Sequence, residues 1–389
     1  MHYFLSERES MVKDLSARLA GEVLAPLAQS LDEDEEFSWE AIRALARSDL
    51  FRVWVPEEYG GLGGGVFEQC LVVEELSRVE SGVAVSYAAS GLGALPILLA
   101  GSEEQKTRYL PCVAAGEKLA AFALTEPEAG SDASAIRARA MREDDSYVLS
   151  GTKQYITNGG VADIYTVIML TDPSKGTRGA SAFVVEKGTE GFSFGKKEKK
   201  MGIRASATCS LIFDNCRVPR TNLLGREGLG FPIAMKTLDR SRPGIGAQAV
   251  GVAQGALDFA VKYAREREQF RQPISSFQAI AHMLADMATQ IEAARALVYA
   301  AARMIDAGIH DFSKESAMAK LFASEMAMKV TTDAVQILGG AGYMRDYPVE
   351  KMMRDAKITQ IYEGTNQIQR EVISRELVKK GGRAAGVTT

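Results

Sequence analysis

The chain has 389 residues, of which 46% are hydrophobic and 25% are charged, a balance typical of globular rather than disordered proteins. This length exceeds what one hydrophobic core usually serves, so we expect two or three domains. The net charge of −4 argues against nucleic acid as a partner. The four cysteines and three histidines show no metal-ligand spacing, so we expect no metal site.

Residues 1–118 show helical periodicity and are predicted to form an N-terminal α-helical domain. Ser6 and Ser38 each precede an amphipathic run and are candidate N-caps. A glycine-rich turn at 57–65 has neither the GxGxxG spacing nor the strand-to-helix context of a dinucleotide-binding motif. Pro111 is expected to close the last helix of this domain.

The segment 81–102 carries no charge over a length that could span a bilayer. Because Gly91, Gly93 and Pro96 interrupt it, we expect buried helices here and no membrane association. The first fifteen residues carry charges where a secretory signal needs an apolar stretch, so no cleaved signal is expected. A bacterial cytoplasmic location is favoured over the mitochondrial matrix.

The composition changes twice along the rest of the chain. Residues 119–224 contain short β-branched or aromatic runs separated by Gly, Asn, Asp and Pro, which predicts a middle antiparallel, barrel-like β domain. Residues 225–389 return to long Ala- and Met-rich helical segments, which predicts a C-terminal four-helix-bundle domain. The predicted fold class is therefore α+β, in the order α, β, α-bundle.

Two loops carry the residues best suited to chemistry. The first, TEPEAGSD at 125–132, leaves a predicted strand and combines hydroxyls with a proline and a glycine. The second contains Glu363, between Tyr362 and Gly364 and just before a helix that opens near Thr365. A carboxylate in apolar surroundings has a raised pKa and can act as a general base, while glycine allows a substrate to approach the backbone closely.

Seven segments, in this order along the chain, resemble the acyl-CoA dehydrogenase family, and together they cover most of it. They are PEEYGGLG, FALTEPEAGSD, GTKQYITNG, FDNCRVPRTNLLG, LDRSRPGIGAQAVGVAQGALD, REREQFRQPISSFQ and QILGGAGYMRDYPVEKMMRDAKITQIYEGTNQIQRE. The family's order of helical, β and helical-bundle domains agrees with the order predicted above.

The resemblance implies an FAD-dependent enzyme that oxidises an acyl-CoA thioester to the trans-2-enoyl-CoA. It implies that Glu363, in the YEGT motif, removes the α-proton while the β-hydrogen leaves as a hydride to flavin N5. Some relatives carry their base on the helix that contains LDRSRP. Ser241 occupies the corresponding position here and cannot act as that base, which strengthens the assignment to Glu363.

The resemblance also implies which residues bind the cofactor. One group would contact the flavin ring: Phe122, Ala123, Leu124, Thr125, Gly130, Ser131, Tyr155, Ile156 and Thr157. A second group would contact the rest of the dinucleotide: Arg267, Phe270, Gln278, Gln336, Ile337, Leu338, Gly339, Gly340, Thr365, Asn366 and Gln367. Many relatives have Trp at the position of Tyr155, so the strength of stacking on the flavin is open.

Substrate contacts are implied at Ser131, Asp239, Arg240, Ser241, Arg242, Tyr362 and Gly364. The implied partners are an acyl-CoA substrate, an electron-transferring flavoprotein as electron acceptor, and three further copies of the chain in a homotetramer built as a dimer of dimers. Alternatives are an acyl-CoA oxidase that uses O2, or a non-catalytic flavin-bound binding protein of the same fold. The length and branching of the acyl chain stay open.

Overall fold

The computed structural model describes residues 3–384. It has the predicted architecture of an N-terminal helical domain, a middle β domain and a C-terminal helical domain. The predicted limits at 118/119 and 224/225 fall between elements of these three parts. The predicted N-terminal and C-terminal domains include residues 1–2 and 385–389, and these lie outside the described residues.

From residue 3 onward, where the structure describes the chain, the N-terminal part contains six α-helices. They are α1 (Glu7–Leu19), α2 (Ala28–Asp34), α3 (Trp39–Arg47), α4 (Val66–Ser77), α5 (Ser81–Ala100) and α6 (Glu103–Ala114). Ser6 and Ser38 cap α1 and α3 by accepting hydrogen bonds from the backbone N–H groups of Glu9 and Ala41, as predicted.

The segment predicted to be broken by glycines and proline is instead one continuous helix, α5. Among the described residues it is the helix long and apolar enough to cross a membrane, and 67% of that stretch is buried inside the protein. A glycine is required at position 93 of this helix. A Cβ there would lie 2.4 Å from the backbone nitrogen of Ala121, so only glycine lets the helix approach the strand at 120–123 so closely. The segment is therefore a core helix.

Pro111 does not close α6, as the sequence suggested, because the helix continues to Ala114. A proline within a helix removes one backbone donor, and the hydrogen bonds on either side of it can persist.

The glycine-rich turn at 57–65 is fixed by backbone hydrogen bonds. The backbone N–H groups of Leu62, Gly63 and Gly64 donate to carbonyls of residues 52, 55 and 53.

The middle part is a mainly antiparallel sheet. Its strands are β1 (Ala120–Ala123), β2 (Arg139–Glu143), β3 (Ser146–Thr157), β4 (Ile164–Leu170), β5 (Ala180–Glu186), β6 (Phe192–Phe194), β7 (Thr208–Pro219) and β8 (Leu223–Leu224). The order is β6-β7-β3-β2-β4-β5-β8, and β1 pairs with β4.

The β1–β4 pair is parallel, with Ala120 opposite Ile164, which departs from the purely antiparallel prediction. Strand β1 lies against α5, and Thr166 of β4 donates its hydroxyl hydrogen to Gly93 O at 2.8 Å. Because β1 follows directly from the helical domain, its packing on α5 accounts for its direction in the sheet.

The C-terminal part contains the remaining helices: α7 (Gly230–Glu266), α8 (Gln278–Asp306), α9 (Ser313–Leu338), α10 (Gly340–Tyr343), α11 (Val349–Ile358) and α12 (Asn366–Ala384). A two-stranded hairpin, β9 (Glu268–Gln269) with β10 (Gln272–Pro273), joins α7 to α8. Helix α9 contacts α7, α8 and α12, which forms the predicted bundle. Helix α7 also contacts α4, α5 and β5 and thereby joins all three parts.

Candidate active site

Two cavities meet at Glu363, between the N-terminal helices, the sheet and α7. The first, called here the Trp54 cavity, has a volume of about 820 Å³ and is also lined by Gly91 and Gly244. The second, called the Tyr155 cavity, has a volume of about 600 Å³ and is lined by strand ends and by α7 and α12. The side chain of Glu363 lines both, together with Ala88, Leu92 and Ile245.

A buried ion pair holds the loop that follows β1. Lys153 is inaccessible to solvent, and its Nζ donates to Glu126 Oε1 at 2.7 Å and to Leu124 O at 3.0 Å. The Glu126 carboxylate also accepts hydrogen bonds from the backbone N–H groups of Arg137 and Ala138. These contacts place Phe122, Leu124, Thr125, Gly130 and Ser131 on the wall of the Tyr155 cavity.

A bulge in β3 presents three more of the predicted residues to the same cavity. The register of β3 against β7 shifts between Lys153 and Ile156, and Tyr155 within this shift has a φ of 58°. Tyr155, Ile156 and Thr157 all line the cavity as a result. Ala123 is buried in β1 and is the one residue of the predicted flavin-ring group that does not line it.

Glu363 lies in a tight turn between α11 and α12. Its φ is 51°, and that of Gly364 is 88°, a conformation that glycine adopts without strain. The side-chain amide of Gln369 donates to the carbonyls of both residues, at 3.1 and 2.8 Å. Within the described residues, the backbone N–H of Glu363 makes no hydrogen bond, so it is free to donate to a ligand.

The Glu363 carboxylate is held by Ser241, whose hydroxyl donates to Glu363 Oε2 at 2.5 Å. Burial raises the pKa of Glu363 to about 6, and the Ser241 hydrogen bond and the positive charges of Arg242 and Lys320 oppose that rise. A carboxylate of this pKa is largely ionised at neutral pH and is more basic than an exposed glutamate. It is therefore suited to accept a proton from carbon.

The helix side of the site contains a buried arginine. Arg242 lines the Tyr155 cavity and forms an ion pair with Asp239, which also accepts a hydrogen bond from Ser313. The Nε of Arg242 is buried without a partner within the described residues. Arg240 and Ser241 line the Trp54 cavity, whereas Asp239, also predicted to contact substrate, lines neither cavity.

The whole of the second predicted cofactor group lies outside both cavities. Arg267 ends α7, the Phe270 side chain on the hairpin is 88% exposed, and Gln278 begins α8. Gln336, Ile337 and Leu338 form the last turn of α9, where Ile337 and Leu338 are buried in the bundle, and Gly339 and Gly340 follow with open space at their Cα atoms. The single chain does not bring these segments together with the flavin-ring group.

The three predicted cofactor residues that follow Glu363 lie in different environments. The Thr365 hydroxyl accepts from the backbone N–H of Ile368 and caps α12, as expected for a helix that opens there. Asn366 is buried, and its side-chain oxygen accepts hydrogen bonds from Lys320 and Ser324. Gln367 is exposed.

Family models match along almost the whole chain. The N-terminal, middle and C-terminal domain models of acyl-CoA dehydrogenase match residues 6–117, 121–216 and 228–378. The chain belongs to the acyl-CoA dehydrogenase family. The enzyme is 49% identical to an acyl-CoA dehydrogenase of Bacillus subtilis over 96% of this chain and 99% of the relative.

Solved structures show the same similarity. Butyryl-CoA dehydrogenase from Megasphaera elsdenii is 47% identical, with a TM-score of 0.95 over 97% of this chain and all of that one. A chain solved in work on the electron transferring flavoprotein of Acidaminococcus fermentans is 52% identical, also with a TM-score of 0.95, over 97% of this chain and 99% of that chain. The enzyme is an oxidoreductase that acts on acyl-CoA.

The cofactor of this family is FAD, and the Tyr155 cavity fits one end of it. The hydroxyls of Thr125, Ser131 and Thr157 line this cavity and make no hydrogen bond within the described residues. A Cβ added at Gly130 would meet nothing within 4 Å, so the backbone there is open to a ligand. Unpartnered hydroxyls beside an aromatic side chain suit a heteroaromatic ring with polar edges.

Four residues of the site were missed by sequence reasoning: Glu126, Lys153, Lys320 and Gln369. The signal for Lys153 was its place in a strand, where alternation predicts an inward side chain. Lys320 lies among small apolar residues of an amphipathic helix, at a position expected to be buried. No sequence signal connected Gln369 to Glu363, because that contact depends on how the turn folds back onto α12.

Proposed function

We propose that the protein dehydrogenates an acyl-CoA thioester to the trans-2-enoyl-CoA and that Glu363 removes the α-proton. The observation that carries this proposal is the Glu363 carboxylate, which lines both cavities with a pKa raised to about 6 and a hydrogen bond from Ser241. An exposed carboxylate is too weak a base for a thioester α-proton. Burial of the base therefore supports this chemistry.

Residues around Glu363 supply the other requirements of proton abstraction. The free backbone N–H of Glu363 would donate to the thioester oxygen and stabilise the negative charge that develops there. The buried and unpartnered Nε of Arg242 offers a further donor on the Tyr155 cavity. When bound, FAD accepts the β-hydrogen as a hydride.

The two cavities divide the acyl chain and the cofactor between them. The apolar lining of the Trp54 cavity next to Glu363, which includes Leu92, Leu95 and Ile245, suits an acyl chain. The Tyr155 cavity would hold the flavin ring, contacted by the predicted flavin-ring group other than Ala123, with Ser131 and Arg242 toward the CoA portion. Straight acyl chains of short or medium length are the proposed substrates, as the similarity to butyryl-CoA dehydrogenase supports.

We also propose a homotetramer in the bacterial cytoplasm that passes electrons to an electron-transferring flavoprotein. Phe270, itself a predicted cofactor residue, and Tyr343, three residues after Gly340, expose large side chains outside the cavities, which supports completion of the cofactor site by another copy. The similarity to the Acidaminococcus fermentans chain supports the electron acceptor. The bacterial relatives support the location.

Anaerobic mixing of the FAD-loaded protein with a panel of acyl-CoA thioesters tests the function. Loss of the oxidised flavin absorbance and formation of the enoyl-CoA are expected for at least one chain length. A yellow protein that no thioester reduces would contradict the proposal. Rapid reoxidation by air after reduction would identify an oxidase instead.

A further inference from the structure

Lys320 on α9 is fully buried, and no carboxylate of residues 3–384 forms an ion pair with it. Its Nζ donates to Gly364 O at 2.9 Å and to Asn366 Oδ1 at 2.9 Å, and within the described residues it forms no ion pair. Lysine is almost never fully buried unless it is paired, because removing an ammonium group from water is costly. This arrangement therefore requires an explanation.

The hydrogen bonds of Lys320 do not provide that explanation, because other side chains duplicate them. Gly364 O also accepts from Gln369 Nε2 at 2.8 Å, and Asn366 Oδ1 also accepts from Ser324 Oγ at 3.0 Å. Without Lys320, Gly364 O keeps the Gln369 donor, and Asn366 Oδ1 keeps the Ser324 hydroxyl, whose single hydrogen is shared with Leu321 O. A neutral side chain would leave these oxygens satisfied at a smaller cost of desolvation.

The charge of Lys320 acts on Glu363, the residue that precedes its acceptor Gly364. The charged groups that face Glu363 are Arg242 from α7 and Lys320 from α9, and both lower its pKa. Lys320 is in turn influenced by Glu363, Arg242 and Glu325, while burial lowers its pKa to about 7. Away from bulk water such attractions are stronger than at an exposed surface.

We propose that Lys320 is a positioning residue for Glu363: its buried ammonium, 2.9 Å from the carbonyl oxygen of the next residue, Gly364, keeps the carboxylate ionised within the site. The proposal rests on the function proposed above, in which Glu363 is the base. Lys320 touches neither cavity and therefore acts through Glu363. Because the ammonium stabilises the carboxylate, it also makes the carboxylate a slightly weaker base.

Two variants of the FAD-loaded protein test this role, Lys320→Met and Lys320→Gln. Both remove the charge, and the glutamine amide keeps a donor for Gly364 O. The rate of anaerobic flavin reduction is measured against pH with the thioester that the unmodified protein uses best. In both variants we expect the acidic midpoint of the profile to move upward by less than about one pH unit, with no loss at the high-pH plateau.

Lys329→Met is the matched control, because Lys329 lies on the same helix but is paired with Asp333 near the surface. Its profile should coincide with that of the unmodified protein. If both Lys320 variants kept the acidic midpoint of the pH profile but had a lower rate at the high-pH plateau, the proposal would be overturned. Lys320 would then have a structural role only. Failure of the proposed function is distinct: it would appear as flavin reduction that survives Glu363→Gln.

Discussion

Two buried lysines each lie near a glutamate in this molecule, in different arrangements. In the β domain, Lys153 contacts Glu126 directly at 2.7 Å, and burial lowers the pKa of the lysine to about 8. In the bundle, Lys320 contacts the carbonyl of Gly364 and not the Glu363 carboxylate. The first pair fastens a loop, whereas the second arrangement leaves a carboxylate open to the two cavities.

The difference shows how one pair of residue types can be structural or reactive. Glu126 accepts hydrogen bonds from a lysine and from two backbone N–H groups, so its oxygens are satisfied by the protein. Glu363 accepts one side-chain hydrogen bond, from Ser241, and has a pKa raised to about 6. A carboxylate with unused acceptor capacity can take a proton from a ligand.

The largest effect is expected for Glu363→Gln, which keeps the shape of the side chain and removes its basicity. Flavin reduction by substrate should fall by about 10⁴-fold, the upper end for loss of a general base, while folding and FAD binding persist. Glu371→Gln is the control, because Glu371 lines the same Tyr155 cavity. Stopped-flow absorbance measures both, and near-normal reduction in the Glu363 variant would place the base elsewhere.

Breaking the Lys153–Glu126 ion pair should lower the stability of the fold and leave the rate of flavin reduction unchanged. Lys153→Met leaves Glu126 buried without its cation, which should lower the free energy of unfolding by about 3–5 kcal/mol. The double variant Lys153→Met/Glu126→Gln should recover part of that loss, because no unpaired charge is left buried. Chemical denaturation measures both changes. A loss below about 1 kcal/mol, the value typical of an exposed pair, would show that the contact is not structural.

A smaller effect, limited to some substrates, is expected at Gly244. It lies on α7 three residues after Ser241, lines the Trp54 cavity, and a Cβ there would meet nothing within 4 Å. Gly244→Leu should therefore fold but narrow the cavity and lower kcat/KM for the longest accepted acyl chain by about 10–200-fold. Short chains should be spared. The control is Gly21→Leu, at another site with open space, which should leave kcat/KM unchanged for both long and short acyl chains. Equal losses for every chain length in Gly244→Leu would contradict the assignment of the Trp54 cavity to the acyl chain.

Of the four effects described in this comparison, the smallest is expected at Ser241. Glu363 must be ionised to accept a proton, so kcat/KM should rise with pH through a midpoint near 6 in the unmodified protein. The Ser241 hydrogen bond stabilises the ionised form, so Ser241→Ala should raise the pKa of Glu363 and move the midpoint upward by less than one pH unit. A pH profile of flavin reduction measures the shift, and a downward movement would show that the bond stabilises the protonated acid.

The order of the three domains was readable from composition alone. Helical periodicity, short β-branched runs and long Ala-rich segments depend on residues close in sequence, and the N-caps Ser6 and Ser38 follow from the same local rules. The family resemblance added Glu363, because the YEGT motif is contiguous. The continuity of α5 through Gly91, Gly93 and Pro96 could not be read locally, because packing against β1 stabilises it.

The sequence by itself determined which side chains are available to the site, whereas the tertiary structure decided which of them share it. Glu363 and Ser241 are 122 residues apart, and Lys320 and Gly364 are 44 residues apart, yet each pair is hydrogen-bonded. Local propensity carries no information about such contacts. They depend on how α7, α9 and the turn before α12 pack together, and that packing also sets the burial that raises the pKa of Glu363.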